Sequence, residues 1–395
     1  MKPFIPAVLF LAMLAGITNA TRAQYTFTKL VQFTSANGTA AGDRLAFDAN
    51  GNIFGTTVYG GGWGSIFKID ASTHAFSTLA SFNLSSTGGR PWSGLVSDTK
   101  GNFYGATEFG GGHGYGTVFE VPAGSSTIVT LASFETSAGS DYLRPTLFAN
   151  SLGDVFGIMP ADAIGHDGTL FKISAGAHTI TTLASFNATN GKNPNPGLVA
   201  DSNGNLYGTT EYGGADNYGA IFKFDTATNT LSTIFSFTKE TGILPLIGLS
   251  LDSLGNLYGA TSEVGPTHNG TIFKLSSDLT TLTVLTPSFG RGVLGSLVCD
   301  ENGNLFGATH GGDIFEVPAG ANAPITLYSS GRLNDTQGGV IGDSEGNIFG
   351  TTGYGFPNVF ELSPVLEPPS LLLGLCAILS WIGWRRVQLL ARPPA

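Results

Sequence analysis

The chain has 395 residues, among them 57 glycines, 28 phenylalanines and 11 tyrosines, with 42% hydrophobic and only 12% charged side chains. That many aromatics exclude ordinary disorder, which needs few aromatics and a high net charge. A formal charge of −10 excludes the basic footprint of a nucleic-acid binder, and two cysteines, Cys299 and Cys376, exclude a disulfide framework or a cysteine-rich metal site.

Residues 1–23 read as a secretory signal. Lys2 supplies the positive end, Phe4 to Gly16 the apolar core, and Thr21-Arg22-Ala23 a small-x-small cleavage site. About 13 apolar residues fall short of the roughly 20 that span a bilayer. Gln24 is the expected mature start and Thr21 the alternative.

The middle, residues 24–363, is a tandem repeat. Its hallmark, D-x-x-G-N followed by an aliphatic, an aromatic and Gly, begins at Asp48, Asp98, Asp201, Asp252, Asp300 and Asp343; a seventh copy at Asn150 exchanges Asp and Asn between the ends of the turn. The turn glycines, Gly51 through Gly346, are spaced 50, 52, 51, 51, 48 and 43 residues apart. Asp in the first position accepts backbone N–H groups and Gly supplies a positive φ, so the motif reads as a hairpin turn; it lacks the later Glu of a calcium loop.

Each unit holds four strand-like runs bounded by Gly, Asn, Asp and Ser. They are exemplified by Gly197 to Asp201 (a), Asn205 to Thr210 (b), Thr271 to Lys274 (c) and Thr182 to Phe186 (d). No long 3.6-period apolar stretch interrupts them. Every copy has an aromatic followed by Gly in strand b and a Phe in strand c, from Phe67 to Phe360. A strand Gly marks the close approach of another group, and an aromatic of the neighbouring repeat is the expected one. These stripes are expected to be core.

Four-stranded units repeated about seven times are propeller blades. Tyr25 to Phe33 matches strand d, the strand that the last unit (Val340 to Leu362) lacks. The expected fold is therefore an all-β, seven-bladed propeller closed by its N-terminal strand. The D-x-x-G-N repeat resembles the bacterial GloVer tandem repeats found on surface proteins. The pattern of strand a, turn and strand b is also similar to NHL-type propellers, as an architectural analogy.

Short a–b and c–d turns share one face; the longer b–c and d–a loops share the other, where binding residues concentrate. The candidate ligand-binding residues are Trp63, Trp92, His113, Tyr115, His166, Tyr218, His268 and His310, with Glu108, Glu211, Glu263, Asp167 and Arg90 beside them on that face. The histidines come from four blades without paired ligand spacing, so no metal is assigned. No nucleophile elbow, zincin motif, P-loop or Rossmann turn is present, and no cofactor or catalytic residue is assigned. The expected function is a non-catalytic surface module for an extracellular polysaccharide or a surface protein. The alternatives are a glycosidase or lyase on the propeller, or a passive coat protein.

Residues 364–395 form a tail: Glu367-Pro368, an apolar run from Leu371 to Trp384, then Arg385-Arg386. Such a run with a basic stop reads as a short membrane segment. The pattern resembles a PEP-CTERM sorting signal, with Leu366 where that family has its first Pro. The resemblance implies an exosortase as processing partner and only transient membrane contact through the tail. The expected address is the bacterial cell surface or extracellular matrix. Without Lys2, Arg22, Glu367, Arg385, Arg386 and Arg392, the middle carries 13 basic and 27 acidic residues, a net of −14 that disfavours polyanions. Cys299 would then be the only thiol, and its apolar surroundings suggest a small buried hydrophobe.

Overall fold

Seven antiparallel sheets, one per sequence unit, build a seven-bladed β-propeller. The computed structural model describes residues 24–135, 146–160, 167–261, 270–286, 292–329, 338–352 and 357–365. The signal segment and the tail with Glu367, Pro368, Arg385 and Arg386 lie outside them. Among the described residues no helix is long and apolar enough to cross a membrane. One of two compact units of the chain runs from Phe27 to Leu362.

Blade 4 shows the plan: Val199–Ala200, Leu206–Tyr212, Ala220–Asp225 and Thr230–Ser236 pair in sequence order, with Lys192–Pro194 adding a second short inner strand. Blade 7 pairs Ile341–Gly342, Ile348–Thr351 and Asn358–Val365, and Gln24–Gln32 supplies its outer strand. The backbone N–H of Phe33 donates to Pro357 O at 2.8 Å, extending this closure by one residue.

The hallmark turn is a hydrogen-bonded knot. In blade 1, Asp48 Oδ1 accepts the N–H groups of Asn50 and Asn52, and its Oδ2 accepts the Asn52 side-chain amide at 2.8 Å. Asn52 Oδ1 accepts the Ala71 N–H, tying the a–b turn to the c–d turn. Both Asp48 oxygens thus face N–H donors, the chemistry of a turn and not of a cation site. In blade 3, Asn150 Oδ1 accepts the same pair of backbone N–H groups, while Asp154 takes the Asn role and receives the Ala175 N–H and the Lys172 ammonium at 2.8 Å. The exchange of residues keeps the bonding pattern.

The partner of the strand b glycines is not the neighbouring repeat. Gly55 lies opposite Phe67 of its own blade, and Gly208 opposite Phe222. A Cβ on Gly55 would come within 2.5 Å of the Phe67 ring. Antiparallel b–c register decides this, because the ring folds across the pair and needs a partner without a side chain. Aromatic contact between repeats comes from strand b, where Phe54 meets Phe103 of the next blade at 4.3 Å, and from the Phe that follows strand d. Phe82 meets Phe119 at 4.9 Å, Phe186 meets Phe222 at 4.9 Å and Phe237 meets Phe273 at 5.1 Å, each on the next blade and near edge-to-face. The strand c phenylalanines are almost wholly buried, so each blade seals its neighbour's core.

Candidate functional site

On the b–c and d–a loop face, the second residue before strand c is Trp63 in blade 1, Tyr115 in blade 2, Asp167 in blade 3 and Tyr218 in blade 4. Its carbonyl accepts an N–H from the next blade's entry loop: Trp63 O from Arg90, Asp167 O from Asn193, and Tyr218 O from Leu244. All three donors are held at positive φ, 54°, 53° and 54°, in the left-handed region that costs an ordinary residue about 1–2 kcal/mol. A strained residue fixed by its neighbour blade recurs on this face, and its side chain differs each time.

Between blades 1 and 2 this arrangement opens a cleft of about 830 Å³, lined by Trp63, Asn83, Ser85, Arg90 and Phe109 among others. Trp63 is 40% exposed and Phe109 37%. The Arg90 guanidinium stands 5.3 Å from the Tyr59 ring centroid and 5.0 Å from that of Phe109, and pairs with the buried Glu108 carboxylate at 3.8 Å. Aromatic faces and a carboxylate together hold that cation and balance its charge, leaving the cleft near neutral. Asn83 Oδ1 accepts from Ser85 and Ser86, while its NH₂ has no partner among the described residues.

The equivalent place between blades 3 and 4 is polar. Asn193 donates to the Glu211 carboxylate, and Lys192 pairs with Asp167 at 3.0 Å. Glu108, Glu211 and Asp167 therefore each have a polar partner.

The other sequence-predicted residues scatter. Tyr115 and His113 are exposed in the blade 2 loop, Tyr218 is partly buried against the core between blades 4 and 5, and His310 is exposed at the end of Leu305–Thr309. Trp92 is 3% exposed and packs with Ala40 and Val58, so it supports the face from beneath and offers no ring to a ligand. His166, His268 and Glu263 lie outside the described residues. Among the described residues no group of three His, Cys, Asp or Glu side chains could hold a metal. Cys299 is half-buried, and burial, with Asp252 and Asp300 nearby, pushes its thiol up to about 11, away from thiolate chemistry. Sequence reasoning missed Phe109. It directly follows Glu108 in the b–c loop, and an aromatic one residue from a singled-out carboxylate was the available signal.

Residues 15–159 and 142–359 match the family model described as the Gloeobacter/Verrucomicrobia repeat. The chain belongs to that family. The D-x-x-G-N resemblance to GloVer repeats is thereby borne out. No curated protein matches this Gloeobacter/Verrucomicrobia repeat chain. Among solved structures, it is similar to the extracellular domain of BT4673 from B. thetaiotaomicron, with 13% identity and a TM-score of 0.57, covering 86% of this chain and 40% of that one. The extracellular domain of BT3049 from the same organism gives 15% and 0.56 over 87% of this chain and 41% of that one. The chain thus spans about two fifths of either. An oligogalacturonate lyase in complex with manganese gives 10% and 0.58, covering 89% of this chain and all of that one (100%). At such identities the likeness is one of fold.

Proposed function

We propose that this Gloeobacter/Verrucomicrobia repeat protein is an exported, non-catalytic binding module whose cleft between blades 1 and 2 takes a neutral glycan. The observation that carries the reading is the cleft itself: an open aromatic wall of Trp63 and Phe109 beside a cation already balanced by Glu108. Sugar rings present flat C–H faces to aromatic rings, and the free Asn83 amide supplies a hydrogen bond at low desolvation cost. A charge-balanced cleft on a negative propeller disfavours an acidic chain. Export is supported by residues 1–23 and by the extracellular context named for the BT4673 and BT3049 domains. The tail pattern supports exosortase processing, so the mature surface form would lack the segment from about Leu371, and intact mass of native material reads this directly.

A glycan array with the full chain and with Trp63→Ala tests the ligand. Binding of neutral glycans that Trp63→Ala loses supports the reading. Absence of binding, or binding indifferent to the substitution, sinks it, and released sugar products would move the protein to the lyase or glycosidase class.

A further inference from the structure

The propeller axis carries one residue that its own repeat disallows. The position just before the aliphatic residue that leads into each inner strand is Gly94, Gly197, Gly248 or Gly339 in four blades, Thr146 in blade 3 and Ser296 in blade 6. Small residues stand there because neighbouring blades touch at the axis: a Cβ on Gly248 would meet Gly197 Cα at 2.6 Å, and one on Gly94 would meet the Arg44 backbone of blade 1 at 2.3 Å. In blade 1 the position is Arg44.

Arg44 lines two cavities on the inner side of the blades. One, of about 200 Å³, is bordered by Thr146, Gly197 and Ser296; the other, of about 440 Å³, lies along the inner strands and is bordered by Phe47, Val96 and Phe148. Among the described residues its guanidinium makes no hydrogen bond or ion pair, although it carries five donors. Arg44 is half-buried, and that burial draws its pKa below the ordinary value. Two hydroxyls share the smaller cavity. Thr146 Oγ1 accepts the Gly197 N–H at 2.7 Å and keeps its own proton to donate, and Ser296 Oγ has no partner among the described residues. Asp43 borders the same cavity and has an interaction of its own.

A plug whose only role is to fill the axis would satisfy its donors on carbonyls. Arg44 instead leaves its donors unpaired among the described residues, beside a cavity that carries the Thr146 and Ser296 hydroxyls and is large enough for several waters or one small solute. We propose that the axial cavity is a second, separate site that binds a small oxyanion, the carboxylate of a sugar acid or a phosphate, on the Arg44 guanidinium with the Ser296 and Thr146 hydroxyls. The planar fork of the guanidinium matches either anion in bidentate fashion.

Calorimetric titration of the full chain at low ionic strength with glucuronate, inorganic phosphate and glucose tests this. Saturable binding of either anion at one equivalent, with none of glucose, is the expected result, and which anion binds identifies the source. Arg44→Gln is expected to weaken binding at least about tenfold, Asp43→Asn to keep or strengthen it, and Trp63→Ala to leave it unchanged. Should Arg44→Gln fail to fold, Ser296→Ala is expected to weaken binding severalfold. No heat with either anion, equal binding of glucose, unchanged affinity in a folded Arg44→Gln, or loss of binding in Asp43→Asn would each overturn the assignment.

Discussion

Phe27 lies face to face with Tyr328, ring centroids 4.0 Å apart and planes 11° from parallel. Tyr328 belongs to the outer strand of blade 6, while Phe27 also stands 5.5 Å from Phe360 of blade 7. The first strand of the described chain therefore closes blade 7 by hydrogen bonds and joins it to blade 6 by stacking. Phe27→Ala keeps the strand but removes both ring contacts. Because Phe27 is only partly buried, the expected cost is about 2 kcal/mol, below the roughly 3–5 for a fully buried Phe. Deletion of residues 24–33 uncovers the edge of Asn358–Val365 and is expected to cause aggregation or a marked fall in melting temperature. Unchanged melting of a monomeric deletion variant would remove the closing role from this strand.

That closure was legible because Tyr25 to Phe33 fits the only strand pattern that the last unit lacks. The seven-fold count was equally open to reading, since D-x-x-G-N marks every turn. The partner of the strand b glycines was not, because recurrence places Gly and Phe in each unit without the register that sets Gly55 opposite Phe67. Nor did residue type separate Trp63 from Trp92. Both sit in loops on one face, but the chain around Trp92 turns its ring inward onto Val58. Arg44 was visible only once the units are aligned on their inner strands, where it replaces small residues.

Blade 3 implies an exchange experiment. Asp252→Asn in blade 5 keeps an acceptor for the Leu254 and Asn256 N–H groups but sets one amide NH₂ against another where Asp252 Oδ2 now accepts from Asn256. The expected cost is about 1–2 kcal/mol. Adding Asn256→Asp rebuilds the carboxylate–amide pair of blade 3, with Tyr258, whose hydroxyl now donates to Asp252 Oδ2 at 3.0 Å, standing where blade 3 has Phe156. Lys274 stands opposite Tyr258 as Lys172 stands opposite Phe156, so the new carboxylate gains a cation. Most of the lost stability should return. In blade 2 the same position, opposite Tyr104, is Glu120, and the exchange Asp98→Asn with Asn102→Asp should not recover. Chemical denaturation of the four variants decides it, and equal recovery in both blades would show that the cation is irrelevant.

The same turns set an acid limit. For Asp98, Asp201 and Asp252, burial by itself would raise the pKa, but the Asn side-chain and backbone donors and the Tyr104, Tyr207 and Tyr258 hydroxyls outweigh it, and the net shift is downward. Asp154 is also lowered, its burial overcome chiefly by Lys172. A carboxylate whose folded pKa lies below its unfolded value of about 3.9 stabilises the fold above that value. This contribution disappears as pH falls through the depressed folded values. Melting temperature is expected to hold between about pH 7 and 5 and to fall below about pH 4, less steeply in Asp201→Asn. A flat profile down to acid unfolding, or an unaltered slope in that variant, would contradict the role of these turns.

Trp63 and Trp92 should separate stability from binding. Trp92 is 3% exposed, packed with Ala40 and Val58, and edge-on to Tyr59 at 6.3 Å. Trp92→Ala leaves a cavity beneath the loop face and is expected to cost about 3–5 kcal/mol, with the melting temperature falling accordingly. Trp63 is 40% exposed, so Trp63→Ala should change stability by less than about 1 kcal/mol while stripping the cleft of its widest flat face. The mild variant is thus expected to lose glycan retention, and the severe one to lose it only through unfolding. Measuring denaturation midpoints alongside retention on a glycan surface distinguishes the two. A stable Trp63→Ala that still binds would place the ligand surface elsewhere on this face, and a Trp92→Ala as stable as the parent chain would remove the supporting role from Trp92.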